Sequence, residues 1–264
     1  MGETRIAIIG KAGIFAKAPN VETYWRNIVN KVDGITEVPP SRWRVEDYYD
    51  ADVDAPDKTY CKRGGFIPDV DFNPLEFGMP PNVLEVTDVS QLLGLVVARD
   101  LLNDAGYGSD RAYDRDRVGV VLGISGGLKL FKPLSARLQY PVWERVLRES
   151  GLSEADIEAI VRKMKLAYVG WNENAFPGLL GNVVAGRIAN RFDLGGMNAT
   201  VDAACASSLA AVSVAMSELA SGRADMMVTG GVDTDNSPFT FMCFSKTPAF
   251  SKRGESRPFD ADAD

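Results

Sequence analysis

The stretch that decides the fold runs from residue 201 to residue 231 and reads VDAACASSLAAVSVAMSELASGRADMMVTGG. Its middle predicts a helix, because apolar side chains recur at helical spacing and Gly222 follows them. These side chains are Leu209, Val212, Met216 and Leu219. The flanking segments NATVDA and DMMVTGGV predict strands. A strand, a helix and a strand in this order indicate parallel pairing.

The rest of the chain repeats this alternation. RIAIIG, at 5–10, predicts a buried central strand, and RVGVVLGISGG, at 117–127, predicts a second strand that runs into glycines. Residues 33–82 are rich in Pro, Asp and Tyr and predict a long surface excursion. Helices are predicted over 21–31, 84–108, 139–150, 154–167 and the first two-thirds of 179–196. The pattern indicates an α/β architecture, with a mostly parallel sheet packed between helices.

Composition excludes several classes of protein. The chain has 264 residues and a formal net charge of -7, which argues against binding to nucleic acid. No apolar run approaches the roughly 18 residues that a membrane span needs, and the N-terminus lacks a signal-peptide core, so we expect a cytoplasmic protein. Cys61, Cys205 and Cys243 are widely spaced and the chain contains no histidine, so we expect neither a metal site nor a disulfide framework.

Cys205 is the strongest candidate for chemistry, because it falls at or just before the first turn of the predicted helix. The positive end of the helix dipole favours an anion there, which shifts a thiol toward the nucleophilic thiolate. The neighbouring Ala and Ser side chains leave room for a substrate. The alternative is a buried cysteine that acts as a small apolar side chain among alanines. Without histidine, the chain cannot hold a Cys-His dyad by itself.

The segment around Cys205 resembles the active-site segment of β-ketoacyl synthases, whose pattern is D-x-A-C-[SA]-S-[SA]-L followed by G-x-x-D-x-x-x-x-G-G. Four other stretches resemble the family in the same order, so the likeness covers nearly the whole chain. They are IAIIGKAGIF, NPLEFGMPPNVLEVTDVSQLLGLVVA, VGVVLGISGG and RGESRPFDADAD. The likeness is greatest to the ketosynthases of polyunsaturated-fatty-acid synthases, with iterative polyketide synthases close behind.

The resemblance implies a thiolase-like fold, of which residues 1–264 are the N-terminal half with loop or cap insertions around 33–82 and 127–178. It implies that Cys205 accepts an acyl group from the phosphopantetheine of an acyl carrier protein, with no tightly bound cofactor. A malonyl unit then loses CO2, and its enolate attacks the acyl-cysteine. Two histidines stabilise that enolate in the family. The absence of histidine therefore predicts that the C-terminal half is missing from this chain.

The resemblance also assigns residues outside the nucleophile segment. Phe239, Phe241, Met242 and Phe244 would lie near the acyl pocket, although an aromatic and Met run more often forms core, and the residues alone favour core. Cys61 and Cys243 lack a helix-start context and are interpreted as inert. The strand before Cys205, including Asp202, would form the interface of a homodimer. Expected partners are an acyl carrier protein and other synthase domains of a parent protein.

Three hypotheses follow. The first is a piece of a ketosynthase that is catalytic when complete. The second is a non-elongating homologue such as a chain-length partner, which would replace the nucleophile, so that Cys205 argues against it. The third is a thiolase-like acyltransferase with the same fold and a Cys nucleophile. The segments ACASS and RPFD favour the condensing enzymes over the third.

Overall fold

The structure is a computed structural model that describes residues 5–108, 111–125 and 128–264. The helices are α1 (Val21–Val29), α2 (Val45–Tyr48), α3 (Pro81–Leu84), α4 (Val89–Asp104), α5 (Leu128–Arg137), α6 (Tyr140–Glu149), α7 (Glu154–Leu166), α8 (Ala175–Leu179), α9 (Val183–Phe192), α10 (Ser207–Ala220) and α11 (Pro238–Lys246). The strands are β1 (Ile35–Glu37), β2 (Arg63–Gly65), β3 (Val118–Gly123), β4 (Asn198–Val201) and β5 (Met226–Gly231). The predicted run of the second strand into Gly126 and Gly127, and the N-terminal residues 1–4, lie outside the described residues.

The described residues form two compact units. The first takes its described residues from Met1–Ile8, Phe72–Leu102 and Gly106–Thr234, and contains β3, β4, β5 and the helices α3 to α10, apart from the end of α4. The second takes them from Ile9–Asp71, Asn103–Ala105 and Asp235–Asp264, and contains α1, α2, α11 and the antiparallel pair β1 and β2. No helix in the described part of the chain is long and apolar enough to cross a membrane.

A three-stranded parallel sheet in the order β4-β3-β5 organises the first unit. The last residue of β3, Gly123, is level with Val201 of β4 and with Gly231 of β5, so the carboxyl ends of all three strands lie together. Every residue of β3 is buried, because the strand is central and both α9 and α10 pack against it. The predicted α/β architecture with parallel strands is therefore confirmed.

Helix prediction succeeded at α7, where a capping residue marks the start. Ser153 caps α7 as predicted, since its Oγ accepts a hydrogen bond from the backbone N–H of Asp156 at 3.2 Å. The helix predicted over 84–108 is shorter than expected. It begins at Val89 because the carboxylate of Asp88 accepts a hydrogen bond from the N–H of Ser90 at 3.0 Å and interrupts the helical path there.

The predicted buried strand at 5–10 is wrong. Residues 5–10 hold no strand, and the side chain of Ile8 is 91% exposed. An apolar run becomes a strand only where a neighbouring backbone supplies a hydrogen-bonding ladder. Neither of the two sheets in the described residues pairs with this run.

The expectation of a surface excursion at 33–82 is also corrected. In the second unit, β1 and β2 pair antiparallel, and Val38, Trp43 and Cys61 from this region are buried together with Phe241 of α11. The indole Nε1 of Trp43 donates a hydrogen bond to the carbonyl oxygen of Asn236 at 3.1 Å. The region therefore contributes buried side chains to a hydrophobic core, which residues far along the chain complete.

Candidate nucleophile site

Cys205 lies in a single 3-10 turn, Ala204–Ala206, between the end of β4 and the start of α10. The predicted position at the helix start is confirmed. The side chain is exposed, which excludes the alternative of a cysteine buried among alanines. An exposed thiol at the carboxyl edge of a parallel sheet can be reached by a substrate from solvent.

Two glycines let the first turn of α10 lie directly against the strand ends. A β-carbon on Gly123 would stand 2.3 Å from the carbonyl carbon of Ser207, and one on Gly231 would stand 2.7 Å from the β-carbon of Ser208. Both distances are shorter than any real side chain tolerates. The absence of side chains at the ends of β3 and β5 therefore fixes the position of the helix start that follows Cys205.

The residue before Cys205 adopts an unusual conformation. Ala204 has φ +50°, in the left-handed region that residues with a β-carbon rarely occupy. The hydroxyl of Ser207 supports this turn, because its Oγ accepts a hydrogen bond from the N–H of Ala203 at 2.9 Å and donates one to the carbonyl of Ala204 at 2.6 Å. Ser207 is itself buried, so the support comes from a fixed side chain.

A carboxylate holds the second polar backbone group of Ala204, its N–H. Oδ1 of Asp202 accepts a hydrogen bond from the N–H of Ala204 at 3.0 Å and another from the Oγ of Ser125 at 2.7 Å. The hydrogen bond from Ser125, followed by that from Ala204, lowers the pKa of Asp202 below its ordinary value. Sequence reasoning missed Ser125, whose role depends on the pairing of β3 with β4.

The electrostatic setting of α10 favours negative charge near its start. The capping residue Ala206 has no side-chain acceptor, and the first turn of this fully described helix holds no acidic side chain. The positive end of the helix dipole is therefore not neutralised by side chains of the helix itself. This arrangement suits the oxyanion of an attacked thioester.

The residues predicted to lie near an acyl pocket are all on α11, in the second unit. Phe241 is only 2% exposed and packs edge-on against Trp43, with ring centroids 5.2 Å apart. Phe239 and Phe244 are 53% and 41% exposed, and Met242 is half-buried. Phe241 thus has a place in the core, as the residues alone favoured. Contact of Phe239, Phe241, Met242 and Phe244 with an acyl chain stays a prediction.

The other two cysteines differ from Cys205 in their surroundings. Cys61 is buried, and this burial raises the pKa of its thiol. Cys243 is exposed on α11 but lies inside the helix rather than at its start. Among the described residues, no cluster of three or more His, Cys, Asp or Glu side chains could hold a metal ion.

Residues 3–264 match the family model described as "Beta-ketoacyl synthase, N-terminal domain". Over 258 residues, 98% of this chain, the sequence is 45% identical to a component of the polyunsaturated fatty acid synthase of Thraustochytrium sp., of which the match covers 9%. It is 32% identical over 260 residues to "Polyketide synthase PksN" of Bacillus subtilis, covering 98% of this chain and 4% of that protein. The chain therefore spans a small fraction of these relatives.

Solved structures give the same result. The structure titled "PfaC Keto synthase-Chain length factor" superposes with a TM-score of 0.78 at 26% sequence identity, over 97% of this chain and 27% of that one. A Streptomyces albus ketosynthase domain, "oxazolomycin ketosynthase domain OzmH KS7", superposes with a TM-score of 0.72 at 28% identity, over 97% of this chain and 38% of that one. These ketosynthases have the thiolase-like fold that the sequence predicted.

Proposed function

Because this chain belongs to the β-ketoacyl synthase family and matches its N-terminal domain, we propose that Cys205 is the nucleophile of a β-ketoacyl-acyl-carrier-protein synthase. In the first step, the Cys205 thiolate attacks the carbonyl carbon of an acyl thioester on a carrier-protein phosphopantetheine. The carbonyl oxygen carries the charge of the tetrahedral intermediate. The carbon–sulfur bond to phosphopantetheine then breaks, and phosphopantetheine leaves as a thiolate while the acyl group remains on Cys205. The leaving thiolate takes up from water a proton equivalent to the one that Cys205 lost.

The second step extends the chain. A malonyl thioester on a carrier protein loses CO2, and the electron pair of the broken carbon–carbon bond forms an enolate. The enolate carbon attacks the acyl carbonyl, and Cys205 leaves as the thiolate. The product is a β-ketoacyl thioester. The 264 residues contain no histidine, so histidines that stabilise the enolate have to come from outside them. We therefore expect these residues alone to perform the loading step at most.

One observation carries the proposal: Cys205 is an exposed thiol on a supported turn at the start of α10. Neither of the other cysteines shares this setting, since Cys61 is buried and Cys243 lies within a helix. A non-elongating homologue would not need a thiol at this place. A thiolase-like acyltransferase would use the thiol in the same first step, and differs in the second.

The proposed partners follow from the same reaction. Both steps require an acyl carrier protein, and the size of the relatives favours a parent protein with further synthase domains. We also propose that this parent protein is cytoplasmic. A homodimer through β4 is supported by its position, because it is an edge strand whose outer side has no ladder partner among the described residues. Sedimentation analysis of this chain and of a Thr200→Pro variant tests the dimer, since proline removes a backbone donor from that strand.

The loading step can be tested directly. The chain is incubated with an acyl-N-acetylcysteamine thioester, and its intact mass and peptide masses are then measured. We expect one acyl group per chain, on the peptide that contains Cys205, and none in a Cys205→Ala variant. Cys243→Ala is the matched control, because it removes the other exposed thiol and leaves loading unchanged. Equal acylation of Cys205 and Cys243, or none at Cys205, would contradict the proposal.

A further inference from the structure

We infer that Asp202 is a positioning residue for Cys205, acting through the single carboxylate oxygen that joins Ser125 to the N–H of Ala204. This inference rests on the proposed function for its consequence, the rate of acyl loading. The structural role of Asp202 does not depend on the proposed function. Asp202 fixes the position of the thiol by holding the turn and does not act through its charge.

The parallel register brings the three residues together. Gly123 of β3 is level with Val201 of β4, and the N–H of Ile124 donates to the carbonyl of Val201 at 3.1 Å. Ser125 and Asp202 follow these paired ends, so their side chains meet although they are 77 residues apart in sequence. The Ser125 hydroxyl thereby ties the carboxylate to the chain that leaves β3.

The same carboxylate then fixes the backbone next to the nucleophile. Both polar groups of Ala204 are held, its N–H by Asp202 and its carbonyl by Ser207. The left-handed φ of Ala204 is unfavourable for a residue with a β-carbon, and such a conformation persists only where its surroundings hold it. Ser207 is anchored in α10, whereas Asp202 is exposed and depends on Ser125 for its orientation. Loss of the carboxylate would leave the turn held from one side only.

The charge of Asp202 cannot be the useful property. A negative charge beside the start of α10 opposes the negative charge that develops on the oxygen of an attacked thioester. An asparagine at this position removes the charge and keeps an oxygen with two lone pairs, so it can still accept from Ser125 and Ala204. The acceptor geometry and the charge can therefore be separated by one substitution.

The test compares Asp202→Ala, Asp202→Asn and Ser125→Ala in the 264-residue chain. Iodoacetamide alkylation of Cys205 and Cys243 is followed by peptide mass spectrometry, and acyl loading is measured on the same samples. Cys243 lies in the other unit and serves as the reference thiol within each molecule. Asp225→Ala is the matched control for loss of an exposed carboxylate in the same unit.

We expect Asp202→Ala to slow alkylation of Cys205 relative to Cys243 by about tenfold, because the reactivity of a thiol depends on the exposure and surroundings that the turn gives it. Ser125→Ala should slow it by a smaller factor, while Asp202→Asn and Asp225→Ala should react at least as fast as the wild type. Rescue by asparagine separates positioning from a general loss of structure, and the Cys243 rate reports any unfolding.

Two results would overturn the inference: alkylation of Asp202→Ala at the wild-type rate, or a loss in Asp202→Asn as large as that in Asp202→Ala. The proposed function fails separately. If wild-type Cys205 takes no acyl group while its alkylation follows the expected order, the positioning role stands and the loading reaction does not.

Discussion

Gly123 lies so close to Ser207 that a β-carbon on the glycine would be 2.3 Å from the serine carbonyl carbon. The neighbouring atoms are backbone, which cannot move aside as a flexible side chain would. The end of β3 therefore sets how near α10 approaches the sheet, and with it the position of the turn that carries Cys205.

Gly123→Ala should lower the free energy of unfolding by about 1–3 kcal/mol through overpacking, and should also slow alkylation of Cys205. Chemical denaturation measures the first effect. Gly170→Ala is the matched control, because a β-carbon there meets no atom within 4 Å. Equal stability of the two variants would show that α10 can shift without cost.

Gln91 is the second position where we expect a large effect. It is 1% exposed, and its amide nitrogen donates to the carbonyl oxygens of Pro177, Gly178 and Leu180 at 2.9, 3.0 and 3.2 Å. Its amide oxygen accepts from Nε of Arg187 at 2.8 Å. Gln91→Leu leaves these groups without their partner and should cost about 3 kcal/mol of stability.

Denaturation with urea measures the effect of Gln91→Leu. Gln139→Leu provides the comparison, because Gln139 is exposed and the same change there should alter stability by less than about 0.5 kcal/mol. A small cost at Gln91 would mean that water replaces the amide.

Variants of two residues of α11, Phe241 and Phe239, distinguish a packing role from a role in acyl recognition. Phe241→Ala removes a ring from the core and should cost about 3 kcal/mol of stability. Phe239→Ala should change stability by less than about 1 kcal/mol, because its ring is largely exposed. If Phe239 also contacts the acyl chain, its variant should load long acyl thioesters more slowly and short ones normally. Unchanged loading at every chain length would remove Phe239 from the predicted acyl pocket.

The pair formed by Arg117 and Asp225 gives a pH dependence with a defined sign. Nε and one terminal nitrogen of Arg117 each donate to a different oxygen of Asp225 at 2.7 Å, and this hydrogen bonding, followed by charge attraction, lowers the pKa of the carboxyl. The unfolded chain therefore binds more protons than the folded one as pH falls toward that pKa. The stabilisation is present above the ordinary Asp pKa and is lost as pH falls through the folded value.

Carbon NMR of the Asp225 carboxyl measures this shift. Its titration midpoint should lie below that of an ordinary Asp, and Arg117→Gln should return it toward the ordinary value. The effect on stability should be small, since both side chains face solvent. A midpoint that Arg117→Gln leaves in place would assign the shift to another cause.

Local sequence patterns predicted the elements that form by themselves. Examples are the helical spacing through α10, the cap at Ser153 and the apolar run of β3, each of which indicates its structure within a few residues. The position of Cys205 at a helix start was predicted from the spacing through α10. Patterns failed where structure depends on distant partners. The run at 5–10 has the composition of a strand but no ladder, and Trp43 is buried by residues almost two hundred positions later.

The features of the candidate site also fall into those that local sequence predicts and those that depend on distant residues. The position of Cys205 could be predicted because the strand, turn and helix that place it are contiguous. The contact of Ser125 with Asp202 could not, since it requires the register between β3 and β4. The left-handed conformation of Ala204 also escaped prediction, because alanine is the residue type that most favours a right-handed helix.

That conformation of Ala204 limits how this segment can vary. Glycine at position 204 would adopt the same φ without steric cost and would fold more readily, but it would also release the turn to sample other shapes. The steric cost at Ala204 is therefore offset by the two side chains that hold the turn, Asp202 and Ser207. A library that screens variants of this domain for stability should therefore keep Ala204, because glycine there would exchange a steric cost for a turn of less defined conformation.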